Sequence, residues 1–388
     1  MLARQKQPAQ ALAKLDTYFA KHFAAQGTGP YQLLAELLKE LGQGDQFIGR
    51  MEKLYAEDPE NMALAYLLAQ RLRESGDLDK AEPICRGLLE RHKARPPVEA
   101  FQGLVDIYRR KNDPQKLLEV VGDAVGRTGK LDALGENGKA LVADTEMTKA
   151  LLAAARQQWE ADPDKVSFGT RLAAALLAME LKDYATANTF FELAVKAGSD
   201  KAAETLISWG IELFIANQYA EAIKIFQRGL DEKVLPASNP TLYFYLAGAL
   251  EMNGRTDEAI EAAKKAGELQ AESARFQSRA PWIEYHAKRY DLARRGYLAL
   301  IEKFDKVQDV PDTRETLRDA RLVLSNISVI EGKLTESEEW LEQVLDEFPE
   351  DIGALNDLGY LWADSSKHLE RALQMVCLLY TSPSPRDS

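Results

Sequence analysis

Small residues recur in pairs twelve positions apart along this chain: Ala69 with Ala81, Ala175 with Ala187, Gly210 with Ala222, Ala247 with Ala259, and Ser325 with Ser337. Between the members of each pair lies a breaker or polar turn, namely Gly76, Lys182-Asp183, Asn217, Gly254 and Gly332. Four residues beyond the second member stands Cys85, Phe191, Phe226 or Leu341, with Ala263 the small exception. Small side chains let two antiparallel helices cross closely. Each pair therefore predicts a hairpin made of helix A, a tight turn and helix B.

Counting seven residues back from the first small position places unit starts at Thr28, Met62, Val98, Phe168, Ala203, Pro240, Ala274, Arg318 and Ile352. Most starts are separated by 34 to 37 residues, and the gap of 70 after Val98 is twice 35. A degenerate unit is therefore expected over 132–167, with helix B over Glu146–Glu160 and a poor helix A around Gly135–Gly138. The gap of 44 after Ala274 fits either a long helix B or a loop around Val310-Pro311-Asp312. Pro281 stands where a small residue belongs and should kink or restart its helix A. The expected organisation is a partial repeat helix over 1–27, regular repeats over 28–131, the degenerate repeat, and regular repeats again over 168–376.

The period and pattern resemble the tetratricopeptide repeat, a helix-turn-helix unit of about 34 residues. The unit from Pro240 carries the resemblance at Tyr243, Leu246, Ala247, Leu250, Gly254, Ala259 and Ala266. The unit from Ala203 carries it at Leu206, Trp209, Gly210, Leu213, Tyr219, Ala222, Phe226 and Gly229. Pro59, Pro163 and Pro349 stand where the family ends its helices. The resemblance implies an all-α, right-handed α-solenoid of nine to ten stacked hairpins, each burying its apolar stripe against its neighbours.

The ends read differently. Pro8–Phe23 predicts an amphipathic helix, with Leu12, Leu15, Tyr18, Phe19 and Phe23 on one face. The last unit has Leu355, Leu358, Gly359 and Trp362, and its helical pattern stops at Val376 in mid helix B. The following segment, CLLYTSPSPRDS over 377–388, resembles the in-frame translation of a transposase-type sequencing adapter. The chain is accordingly expected to be a fragment, from a bacterium.

Composition excludes more than it names. A net charge of −12 argues against nucleic acid, which selects basic faces. No apolar run approaches the ~18 residues of a membrane span. Two cysteines make no disulfide framework, and four scattered histidines (His22, His92, His286, His368) share no i, i+4 pair for zinc. Cys85 reads as a buried thiol in a core position. Ala124–Leu131 approaches a phosphate loop, but Ala124 replaces its first glycine and Leu131 its hydroxyl residue, so it reads as a helix C-cap. The carboxylates of Glu336-Ser337-Glu338-Glu339 open a helix and complement its dipole. No local pattern marks a nucleophile, and neither a cofactor nor catalysis is expected.

In the resembled family helix A lines the concave face, with positions 2, 5, 9 and 12 of each unit inward. Those positions are mixed and polar early in the chain. From Leu172, Leu176 and Met179 onward they become apolar and aromatic, as far as Val329. The partner-binding residues expected on this face are Ile207, Ile211, Phe214, Phe244, Trp282, Tyr285 and Asn326, with Tyr245 and Arg279 beside them. Such a groove suits an amphipathic helix or an extended apolar peptide; the alternative is that superhelical curvature packs these side chains against the next helix A as repeat core. The family's clamp for C-terminal carboxylates needs Lys at position 5 and Asn at position 9, whereas these positions hold Tyr66 and Gln70, Gln102 and Asp106, or Ile207 and Ile211. The expected role is a protein-interaction scaffold or adaptor with apolar or basic partners. The rival roles are an arm of a larger enzyme, an envelope-assembly factor, or an RNA-binding helical repeat, the last needing basic residues that helix A lacks. The compartment stays open between cytoplasm and, with a leader upstream, periplasm.

Overall fold

The computed structural model describes residues 7–21, 27–197, 200–307 and 311–381, and every regular element among them is helical. The chain divides into two compact units, Met1–Thr205 and Leu206–Ser388. In the first, α1 (Pro8–Lys21) precedes the hairpins α2 (Gly29–Glu40) with α3 (Phe47–Glu57), α4 (Met62–Ser75) with α5 (Leu78–Arg91), and α6 (Val98–Arg110) with α7 (Pro114–Thr128). The hairpins α8 (Gly135–Ala143) with α9 (Thr145–Ala161) and α10 (Phe168–Glu180) with α11 (Tyr184–Ala197) follow. Helix α12 (Ala202–Ile215) spans the division and pairs with α13 (Tyr219–Asp231). The second unit continues with α14 (Pro240–Met252) and α15 (Thr256–Leu269), then α16 (Ala274–Gln277) and α17 (Arg279–His286) with α18 (Tyr290–Phe304). It closes with α19 (Pro311–Ile330) and α20 (Leu334–Glu347), then α21 (Ile352–Asp364) and α22 (Leu369–Thr381). Both units are thus all-α stacks of tandem hairpins, the architecture of an α-solenoid.

Local chemistry sets the phase of the hairpins. The side chains of Asn61, Ser167, Asn239 and Asp351 cap a helix A by accepting from the backbone N–H three residues on. At the other end, the fifteenth residue of each regular unit lies in the left-handed region: Gly42, Gly76, Asn112, Lys182, Asn217, Gly254, Lys288, Gly332 and Ser366. The next N–H folds back onto a carbonyl five residues earlier, as Asp77 does to Leu72 at 2.8 Å and Arg255 to Leu250 at 2.9 Å. This Schellman closure ends helix A and turns the chain into helix B. The hairpin of α8 and α9 lacks it, passing through Asp144 at φ −87°.

The small pairs sit at the crossings. Ala81, Ala187, Ala222, Ala259 and Ser337 are fully buried, and the Ser325 and Ser337 hydroxyls hydrogen-bond at 2.8 Å. The Phe226 ring occupies the space that a Cβ on Gly210 would need. A particularly close crossing joins α7 to α10. A Cβ on Gly169 would overlap the Gly122 carbonyl oxygen and lie 2.9 Å from Gly126 Cα.

Two expectations change and one open reading is decided. The extra residues after Ala274 form no long helix B, and Pro311-Asp312 lies in helix and not in a loop, while Val310 lies outside the described residues; the extra residues lengthen helix A, so α19 runs for 20 residues. Pro311 opens α19, and Leu317 and Ala320 bury against Ala274, Tyr297, Leu300 and Phe304. Of the two readings open for Leu172, Leu176 and Met179, the structure takes repeat core over open groove, because α10 packs on α7, α9 and α11. Helix α22 passes through Cys377 and reaches Thr381 rather than ending at Val376, since no helix breaker occurs before Pro383. His22 and Phe23 lie outside the described residues, as does 382–388. In the unit from Ala274 the helix is interrupted at Ser278 and restarts at Arg279, because Pro281 has no N–H to give the Gln277 carbonyl.

Candidate functional site

Three successive A helices of the second unit carry the aromatic residues. Ile207, Ile211 and Phe214 share one face of α12 by spacing, and all three are half-buried. Phe214 meets Tyr245 edge-on at 5.7 Å, and Tyr245 meets Phe244 edge-on at 5.5 Å, joining α12 to α14. Phe244 in turn meets Phe276 of α16 at 5.5 Å. On α17, Trp282 packs against His286 at 4.1 Å, and Tyr285 lies 5.8 Å from the same imidazole. Phe214, Phe244, Tyr245, Trp282 and Tyr285 are half-buried, so their rings are fixed by neighbours yet still offer apolar surface. Asn326 is exposed on α19 and makes no ring contact or hydrogen bond with this row among the described residues.

Arg279 binds the row together from beneath. Its side chain is 8% exposed, and its guanidinium carbon lies 4.0 Å from the Phe244 ring centre, 4.6 Å from Trp282 and 5.9 Å from Phe214. Nε donates to the Phe244 carbonyl at 2.9 Å. Gly248, one turn on in α14, makes the approach possible, because a Cβ there would stand 2.5 Å from Nη2. The sequence places Arg279 on an open face; the structure buries it under aromatic rings. That burial, with the like charge of Arg275, pulls its pKa down to about 10 against the opposing pull of Tyr245.

A pocket of about 420 Å³ opens beside Arg279. Phe244, Trp282 and Tyr297 give it an aromatic lining, and Arg275 and Ser278 flank Arg279. The other side is α19, which contributes Asp312, Glu315, Thr316 and Asp319. This acidic side was missed at the sequence level, because the stretch before Arg318 was assigned either to a long helix B or to a loop, and not to helix A. The i, i+3, i+4, i+7 spacing of those four residues was the available signal.

The remaining sequence motifs are structural. Gly129 is a left-handed C-cap whose N–H meets the Val125 carbonyl, which accounts for the phosphate-loop-like stretch. Cys85 is buried against Arg73 and Gly103, and burial pushes its thiol up to about 11. Glu336 and Glu331 bracket Arg294 at 2.6 and 2.9 Å. Among the described residues no cluster of His, Cys, Asp or Glu has metal-binding geometry, and no helix is long and apolar enough to cross a membrane.

Residues 208–274 match the tetratricopeptide repeat family. Among solved structures, MamA is similar at 17% identity, covering 44% of this chain and 92% of its own, with a TM-score of 0.35. PilW, described as a widely conserved type IV pilus biogenesis factor, is similar at 16% identity, covering 56% and 96%, with a TM-score of 0.40. A putative kinesin light chain of Podosopora anserina with nearly identical TPR-like repeats is similar at 16% identity, covering 47% and 94%, with a TM-score of 0.37. No curated protein matches the chain by sequence.

Proposed function

We propose that this chain, whose residues 208–274 match the tetratricopeptide repeat, a module that generally mediates protein–protein interaction, is a scaffold or adaptor. It captures an apolar peptide or amphipathic helix on the A-helix face of its second unit. The observation that carries this reading is the continuous aromatic row from Phe214 through Tyr245 and Phe244 to Arg279 and Trp282. Aromatic side chains and arginine concentrate binding energy, about 2 kcal/mol or more for a central one. Neighbours already hold these rings in place, so little side-chain freedom is lost on binding. The net charge of −12 favours basic residues flanking the apolar segment. The role requires no chemical step.

A random-peptide display library selected against the full chain tests it. Trp282→Ala and Phe214→Ala should each weaken the recovered peptides at least tenfold while far-ultraviolet circular dichroism stays unchanged. The reading fails if no peptide is recovered, or if the substitutions leave binding intact. It fails equally if each substitution unfolds the second unit by several kcal/mol, as removal of core side chains does.

A further inference from the structure

The pocket beside Arg279 has two opposite electrical sides. On one, Arg279 is only 8% exposed as a residue, and apart from the Nε bond to Phe244 its guanidinium makes no hydrogen bond or ion pair among the described residues. A buried cation without a counter-charge is costly, and ring faces offset only part of that cost. Gly248 leaves the room in which Nη2 lies, since a Cβ there would stand 2.5 Å from it. The other side is acidic. Asp312 and Glu315 are exposed on α19, and Asp319, which also meets Arg318 at 2.8 Å, lies one turn further on. No ion pair joins Arg279 or Arg275 to these carboxylates among the described residues. The volume of about 420 Å³ sits at the small end of ligand sites, which run from about 300 to 1,000 Å³.

We propose that this pocket binds a short zwitterionic peptide of dipeptide size. Its carboxylate sits on the Arg279 guanidinium, its ammonium faces Asp312 and Glu315, and an apolar side chain lies on Phe244 and Trp282. Arginine presents paired donors that match a carboxylate, and with aromatic rings beside it the site is partly dry. The acidic side excludes a plain anion and selects a ligand with a positive end. The inference goes beyond capture of a longer peptide on the aromatic row, and does not need one.

Calorimetric titration of the full chain with leucyl-phenylalanine, its C-terminal amide and its N-acetyl derivative tests the proposal without altering the protein. One-to-one binding of the dipeptide is expected, with each blocked form weaker by at least about tenfold, or 1.4 kcal/mol. Arg279→Gln should abolish binding. Asp312→Asn with Glu315→Gln, both exposed on α19, should weaken the dipeptide but not its N-acetyl form. Equal binding of the amide removes Arg279 from the site, and equal binding of the N-acetyl form removes the acidic side; either overturns the proposal, as does absence of binding. If the dipeptide fails while display-selected peptides bind, this inference falls and the scaffold reading stands. The reverse result removes the scaffold reading and leaves the pocket.

Discussion

Glycine-to-alanine replacement in a helix normally stabilises, by about 1 kcal/mol at an exposed interior site. At Gly169 the sign should reverse. Its added Cβ would overlap the Gly122 carbonyl oxygen and lie 2.9 Å from both Gly122 C and Gly126 Cα. These are backbone atoms of α7, which cannot swing aside as a long side chain can. The helices must separate, loosening buried Leu118, Val121 and Val125 of α7 and Leu172 and Ala173 of α10. Overpacking of this kind costs about 1–3 kcal/mol, and more where backbone must move. After the propensity gain, Gly169→Ala should still destabilise the first unit by about 1–2 kcal/mol. Gly49, in α3, has open space around it and serves as the control, so Gly49→Ala should stabilise by up to about 1 kcal/mol. Urea unfolding followed by circular dichroism gives both midpoints. Stacked repeats depart from two-state unfolding, so the sign and order of the shifts carry the test. A Gly169→Ala midpoint equal to or above that of the unaltered protein would refute the close crossing.

Lys182 adopts φ +58° in the turn between α10 and α11, where a side chain costs about 1–2 kcal/mol, so Lys182→Gly should raise the first unit's unfolding midpoint. The opposite substitution, Gly254→Ala, should lower the midpoint of the second unit for the same reason. Burial alone would push the Glu82 carboxyl up, but hydrogen bonds from Lys111 and Tyr108 at 2.7 Å and the charge of Lys116 outweigh it, bringing it to about 2. A depressed folded-state pKa gives stability that is present above the ordinary value of 4.5 and lost as pH falls from there toward 2. Glu82→Gln should therefore lower stability at pH 7 and flatten the loss between about pH 5 and 3, read as urea midpoints against pH.

The hairpins were legible because their signals are local. A small residue, a turn residue and a second small residue twelve positions later stand in one short stretch of sequence, and the left-handed turn falls fifteen residues into every regular unit. Signals that cross between helices were not legible. Gly122 and Gly126 have the spacing of a close-packing pair, yet their meaning depends on Gly169, which lies beyond the degenerate unit. The depth of Arg279 depends on Gly248 in another hairpin, so its own neighbours in sequence gave no warning. Half of the pocket lies on α19, which opens at Pro311, where the sequence left a loop around Val310-Pro311-Asp312 open beside a long helix B. A proline ends a helix or opens one, and only the burial of Leu317 and Ala320 decides which.

The scaffold reading rests on where a partner lies, and hydrogen exchange locates it. The full chain would be followed with and without a display-selected peptide. Occupancy of the aromatic row slows exchange in α12, α14 and α17 while α13, α15 and α18 keep their rates. Protection confined to α13, α15 and α18, or absent from the second unit at a saturating peptide concentration, would contradict it.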